Sequence, residues 1–291
     1  MNTRWRPTPY RDMHLGHIPS AYDCWHVARA SGGKFIMIAD DWNYVMGGSW
    51  CQAWSVQHAT ERYAEDLAWL GIAPDEIIYS TSNGAAHAEA AERLGLTVPG
   101  RVGHWISHSL QSPPAMNTSV RTVPSGGQYG DYYTAIKCVD DHEAGVNCFS
   151  RGADLLYEAQ AYDSLWRRLY PAGFPPTQRY VPILARDGLK VSKRDGRNSV
   201  LRDLRDIGYE GWQVLDTVLA LVEQSTSSFI EIPLDLFSLE KIAVLERGLS
   251  PDMVANRKGA LEWFGEDGCG PDVVAAIDRH ERATKLRKGQ V

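Results

Sequence analysis

The chain has 291 residues, 44% hydrophobic and 23% charged, which suits one large or two modest globular domains and excludes a mainly disordered or fibrous state. Its 36 acidic residues against 30 basic ones give a net charge of −6, which argues against a nucleic-acid-binding domain held by bulk electrostatics but leaves room for a local basic stripe. Five cysteines, at 24, 51, 138, 148 and 269, form no CxxC pair, so neither a disulfide framework nor a cysteine-rich zinc site is expected. The opening residues Met1 to Pro7 hold no apolar signal stretch, and no run of 18 apolar residues occurs anywhere. The expectation is a soluble, cytoplasmic protein with no membrane partner.

Residues 18–30 place Ile18, Ala21, Tyr22, Trp25 and Ala28 on one helical face, and Gly32 and Gly33 close that helix. The uninterrupted apolar run from Lys34 to Ala39 predicts a strand buried on both faces, as in parallel sheets. It ends in Asp40 and Asp41, two carboxylates at the strand end where open α/β sheets bind ligands. A helix with Val56, Ala59, Tyr63, Leu67 and Leu70 in register follows, closed by Gly71. A strand over 76–79 and an Ala-rich helix over 84–94, capped by Gly95, come next.

Residues 96–130 lose the rhythm: four prolines and five glycines make them a loop-rich connection. Regular structure returns as a strand over 132–139, a helix over 153–169 with Tyr162, Trp166 and Leu169 aligned, and a strand over 179–184. Beyond residue 196 the pattern is helical, first at Leu201 and Leu204, then along Leu215, Val218, Leu219 and Val222. Residues 242–245 and 271–288 are further helix candidates. The order predicts a parallel α/β unit split by an irregular connection and followed by a helical part.

Two motifs carry chemistry. His14, Leu15, Gly16 and His17 form a turn that opens a helix, setting two imidazoles and backbone N–H groups around one point. Gly16 admits a planar ligand close to the backbone, and such a turn suits a phosphate anion. The second motif runs from Lys190 through Val191, Ser192 and Lys193 to Arg194, followed by Asp195 and Gly196. Three cations on a glycine-flanked loop after a strand can neutralise a departing pyrophosphate. Each is weak alone; their order and separation are not.

The pair resembles the HIGH and KMSKS motifs of class I aminoacyl-tRNA synthetases. The flanks narrow the resemblance to the glutamyl/glutaminyl branch. Residues 4–14, RWRPTPYRDMH, are similar without a gap to its RxAPSPTGxLH opening, and residues 32–43, GGKFIMIADDWN, to its GGKFxLRx(E/D)DT(D/N) strand. CVDD at 138–141, FSRGADLL at 149–156 and KVSKRDG at 190–196 resemble VVDD, VIRGxDLL and KLSKRxG. The likeness covers about residues 4–95 and 131–200.

The resemblance implies an α/β fold: a Rossmann-like, HUP-type parallel nucleotide-binding core. Its halves would be residues 1–95 and 131–196, split by a shortened insert at 96–130 and followed by a helical C-terminal domain at 197–291. It also implies ATP and Mg²⁺ as reaction partners. His14, Gly16, His17, Lys190, Ser192 and Lys193 would bind ATP, with His14, His17, Lys190 and Lys193 stabilising the transition state. Carried over residue by residue, Arg4, Thr8, Asp40, Tyr133 and Arg151 would hold the amino acid. The two guanidiniums suit two carboxylates, and Asp40 suits an α-ammonium, which points to glutamate or a close analogue.

Departures are equally informative. Lys137 adds a cation beside the amino acid where the family carries a small polar residue, Trp42 replaces a Thr, and Tyr10 and Arg11 replace Thr-Gly. The connection at 96–130 is far shorter than the insert that seats the tRNA acceptor end, and the metal-binding cysteine segment of many relatives is missing. His104 and His108 make an HxxxH without a third ligand, so no zinc or other bound metal is expected. The anticodon-binding domain is also missing, as in the truncated glutamyl-queuosine tRNA synthetases, which keep the acceptor subdomain. The expected reaction is amino-acid activation followed by transfer to a small-molecule or protein-borne amine, with transfer to tRNA as the alternative.

Overall fold

The computed structural model describes residues 1–9, 11–42, 55–96, 128–186, 189–191 and 200–232. Its centre is a parallel sheet of five strands: β1 (Thr3–Trp5), β2 (Phe35–Ala39), β3 (Glu76–Tyr79), β4 (Cys148–Gly152) and β5 (Thr177–Val181), in the order β3-β2-β1-β4-β5. Arg4 of β1 sits opposite Ile36 of β2 on one side and Phe149 of β4 on the other. Every residue of β2 is buried, as the apolar run from Lys34 to Ala39 predicted. This is a Rossmann-like α/β core.

Helix α1 (Ile18–Ser31) covers β1 and β4 and stops where Gly32 takes the left-handed conformation, φ 68°. Helix α2 (Val56–Trp69) starts at Ser55, whose hydroxyl accepts the His58 N–H. α3 (Gly84–Leu94) also matches its expected span. The predicted helix over 153–169 is a 3₁₀ turn, Ala153–Glu158, running into α5 (Ala159–Leu169).

The strand expected over 132–139 is instead part of α4 (Gln128–Glu143). Its buried Tyr132, Ala135, Ile136 and Val139 fall at i, i+3, i+4 and i+7, a helical stripe hidden in a short apolar run. The strand expected over 179–184 is two strands in different sheets. Pro182, which has no N–H to donate, separates β5 from β6 (Ile183–Arg186). β6 pairs antiparallel with β7 (Leu189–Lys190) and parallel with β8 (Phe229–Glu231). The polar sequences of β1 and β4, each with an arginine inside it, hid two of the central strands.

After β7 come α6 (Leu201–Ile207) and α7 (Gly211–Glu223). Leu204, Tyr209, Val214 and Val218 share one buried cluster with Ile18 and Ala21 of α1 and Tyr63 and Leu67 of α2. At Gly211 a Cβ would lie 1.7 Å from the Trp69 carbonyl oxygen, so α7 approaches the end of α2 backbone to backbone. The helix candidates at 242–245 and 271–288, and His104 and His108, lie outside the described residues. Among the described residues no helix is long and apolar enough to cross a membrane.

Candidate active site

The strand order reverses between β1 and β4, the place where an open α/β sheet leaves a crevice at the carboxyl ends of its strands. A cavity of about 610 Å³ lies there. It is lined by Arg4, Arg6 and Thr8 from β1 and beyond, Asp40 after β2, Lys137 of α4, Arg151 of β4, Lys190 of β7, and His14, Gly16 and His17. Nine of the twelve residues singled out by sequence therefore meet in one pocket. Tyr133 sits beside it on α4, edge-on to Tyr132 and half-buried, without lining it. Ser192 and Lys193 lie outside the described residues.

The His-x-Gly-His segment forms a 3₁₀ turn, Leu15–His17, feeding directly into α1. It caps itself: the Gly16 N–H donates to Nδ1 of His14 and the His14 N–H donates to Nδ1 of His17, both at 3.1 Å. Trp5, Tyr63 and the His14 ring surround the His17 ring. Gly16 has a second use beyond ligand approach. A Cβ there would stand 3.0 Å from the His14 ring and 3.5 Å from the Val191 carbonyl oxygen. On either side of residues 192–199 the described chain is held by backbone pairing. The Val191 N–H donates to Leu184, the Leu201 N–H donates to Met13, and Val200 bridges to His14.

The amino-acid half is dense with internal ion pairs. Arg4 is a buried part of the pocket lining, bidentate to Asp141 at 2.7 and 2.6 Å and stacked over Phe149 at 4.1 Å. Burial alone would lower its pKa, but Asp141 raises it, so this guanidinium is permanently charged. Tyr162 adds its hydroxyl to Asp141 at 2.7 Å. Arg6 repeats the arrangement with Asp140 at 2.6 Å, donates to Ser80 at 2.8 Å, and leaves its Nε 3.8 Å from Asp40. Lys137 and Arg151 both donate to Glu158, at 2.8 and 3.0 Å. Lys190 pairs with Asp154.

The acidic pair after β2 divides its work. Asp40 faces the cavity, while Asp41 turns inward and accepts from the backbone and side chain of Thr81. Burial pushes the Asp41 carboxyl up to about 6 despite those donors. Trp42 is fully buried against Ala91, Tyr132 and Ile136 and donates to Ser80 at 2.9 Å, so this departure serves the core.

Sequence reasoning passed over Arg6, Asp140, Asp141, Asp154 and Glu158. Arg4 and Arg6 are two apart on an extended segment and so project to one side, and adjacent acids at 140 and 141 were the signal for their partners. Nothing in the spacing announced Glu158. Among the described residues no three His, Cys, Asp or Glu side chains gather as a metal-binding group.

The fold is thus a parallel Rossmann-like sheet with a self-capped His-x-Gly-His turn at its switch point and a lysine hairpin beside it. Residues 1–94 match the family model of the tRNA synthetases class I (E and Q), catalytic domain. The chain is 27% identical over 254 residues to a glutamate–tRNA ligase of Nitrobacter hamburgensis, covering 67% of this chain and 51% of that protein. It is 25% identical over 346 residues to glutamate–tRNA ligase 2 of Methylobacterium radiotolerans, covering 97% of this chain and 72% of that one. It spans 51% to 62% of the length of four curated relatives that it matches. The crystal structure of glutamate–tRNA synthetase from Elizabethkingia anophelis shares the fold, with a TM-score of 0.58, 15% identity, and coverage of 94% of this chain and 76% of that one.

Proposed function

We propose that the protein activates glutamate or a close analogue with MgATP, forming an aminoacyl-adenylate and pyrophosphate. One observation carries the reading: the nucleotide residues His14, Gly16, His17 and Lys190 and the amino-acid residues Arg4, Asp40 and Arg151 line the same cavity. The substrate's α-carboxylate is itself the nucleophile at the α-phosphorus, so the protein's task is positioning and charge stabilisation. Asp40 would receive the α-ammonium, His14 and His17 the α-phosphate, and Lys190 with Lys193 the leaving pyrophosphate.

The adenylate is then attacked at its carbonyl by an amine, expelling AMP and forming an amide. A small-molecule or protein-borne amine is the preferred acceptor. The Methylobacterium alignment spans 346 positions against 291 residues here, so that relative carries residues inside the span that this chain lacks. Residues 96–130 carry only Arg101 and Arg121 as lysine or arginine cations for a polynucleotide backbone. Transfer to tRNA is the second reading, favoured by the names of the relatives.

The test is ATP–pyrophosphate exchange with each amino acid in turn, without tRNA. Glutamate-dependent exchange is expected; exchange with no amino acid overturns the reading. Labelled glutamate on total tRNA, compared with hydroxylamine trapping of the adenylate, decides the acceptor. Efficient, saturable tRNA labelling would establish the second reading.

A further inference from the structure

Three charged side chains from three elements meet inside the cavity. Lys137 comes from α4, Arg151 from β4, and Glu158 from the last position of the 3₁₀ turn. One oxygen of Glu158, Oε2, accepts from Lys137 Nζ at 2.8 Å and from Arg151 Nη1 at 3.0 Å. The side chains are 23%, 9% and 18% exposed, and all three line the pocket. Arg151 is also held from outside the triad: its Nη2 donates to Gln178 at 2.7 Å and to the Tyr180 hydroxyl at 3.1 Å. Its guanidinium also lies 5.3 Å from the Phe149 ring centroid and 5.4 Å from that of Tyr180. Arg151 is thus held in place independently of Glu158.

The other arginine pairs of the site are built differently. Asp141 and Asp140, which neutralise Arg4 and Arg6, are fully buried and do not line the cavity, so those pairs form its wall. Glu158 is in the cavity itself. Although desolvation would raise its pKa, Lys137 and Arg151 hold its carboxyl below the usual glutamate value, so it is an anion at neutral pH. An ionised carboxylate between a lysine and an arginine, facing a substrate cavity, occupies the position that a substrate's own carboxylate would take.

We propose that Glu158 is the specificity-determining residue of this pocket, a resident carboxylate that a substrate's side-chain carboxylate must displace from Lys137 and Arg151. The proposal rests on the reading that this half of the cavity takes an amino acid. With Glu158 in place the triad carries one net positive charge rather than two. A dicarboxylic substrate therefore meets a like charge at the subsite it needs, whereas a primary-amide side chain meets none. Glu158 and Lys137 offset each other: the extra lysine fixes the subsite, and the glutamate sets how strongly an acidic side chain is held there. Removing the resident charge should strengthen acidic substrates selectively.

The experiment is calorimetric titration of L-glutamate and of L-glutamine into the full chain, without ATP, for wild type, Glu158→Gln and Glu158→Ala. Glutamate should bind at least about tenfold more tightly to both variants, because a unit charge a few ångströms away in a partly buried site outweighs that factor. Glutamine should change by less than about threefold, since it carries no side-chain charge to repel. Unchanged or weaker glutamate binding in folded variants overturns the proposal, as does an equal gain for both ligands or no glutamate binding to any of the three proteins. A merely structural Glu158 cannot give a gain confined to the acid. Should neither variant fold, Lys137→Met reads the same triad from its other side. It should weaken glutamate at least about tenfold while leaving glutamine within about threefold, and unchanged glutamate binding would overturn the proposal. Pyrophosphate exchange by the wild type decides the activation reading separately, so each claim can fail without the other.

Discussion

The backbone N–H of His14 donates to Nδ1 of His17 at 3.1 Å, while the His14 ring accepts from Gly16 through its own Nδ1. A ring nitrogen that accepts a hydrogen bond carries no proton, so each neutral imidazole holds its proton on Nε2. The motif's own backbone thereby fixes both tautomers, and both rings present Nε2–H as their donor. Their centroids are 3.8 Å apart, close enough for two donors to address one phosphate group.

This arrangement separates the cap from the donor. In His17→Asn the side-chain oxygen can take over the role of Nδ1, but the Nε2–H donor is lost. We expect near-wild-type thermal unfolding with turnover lowered by about 10²-fold, the usual scale for one lost transition-state donor. His17→Gln should show the reverse balance, with more of the turnover and a lower melting temperature. Pyrophosphate exchange and a thermal melt on both variants check it; equal losses of turnover would refute the assignment.

Gly16→Ala addresses the same turn from the backbone. The new Cβ would sit 3.0 Å from Cε1 and Nδ1 of His14, so the ring must move by a few tenths of an ångström. Displaced catalytic groups cost rate more than stability. The expected result is a fall in kcat of about 10-fold or more with the fold retained, measured by exchange and circular dichroism. A wild-type kcat would mean that the His14 ring has room to yield without cost.

Lys190 is half exposed and pairs with Asp154 across the cavity mouth. If its partner during reaction is the leaving pyrophosphate, the charge it meets grows only as the bond breaks, and the loss appears in kcat. Lys190→Ala should lower kcat by about 10²–10³ while the KM for ATP changes little. The same is expected of Lys193→Ala from its place in the motif. A raised KM with normal kcat would return these lysines to ground-state binding.

Much of this site is legible in the sequence because its parts are local. The turn at 14–17, the strand ending in Asp40, and the arginine at 151 are each announced by neighbours within a few positions. What escaped reading depends on partners far apart in the chain. Asp141 is explained by Arg4, 137 residues away, and by Tyr162, and Glu158 shares its oxygen between Arg151 and a lysine 21 residues earlier on a helix that read as a strand. The α4 error has the same root. A short apolar run fits both periods until the sheet that it covers is known. β1 and β4 were hidden because their central arginines look like surface residues until their counter-ions are placed.

Asp140 offers the sharpest test of that buried electrostatic layer. Its two oxygens receive Arg6 at 2.6 Å, Asn83 at 2.8 Å, a ring nitrogen of His87 at 2.8 Å and the Ser80 hydroxyl at 2.5 Å. Burial would raise its pKa, but Arg6, His87 and Ser80 together bring it down to about 2. The folded value lies below the unfolded value of about 3.9, so the stabilisation is present above that unfolded value and is lost as pH falls through about 2. Its size is on the order of 2–3 kcal/mol. Asp140→Asn should cost more at neutral pH, about 3–5 kcal/mol, because it leaves the Arg6 guanidinium buried without its counter-ion. Urea unfolding at a series of pH values should show the gap between wild type and variant narrowing toward pH 2, and a constant gap would contradict the charge argument. The variant should also read out in the pocket. Arg6 already lies 3.8 Å from Asp40, and without Asp140 it would close on that carboxylate. Asp40 would then be less available to an α-ammonium, so the KM for the amino acid should rise while the KM for ATP holds. Arg6→Met in the same background should relieve both defects, since it removes the unpaired charge and the competitor for Asp40 together.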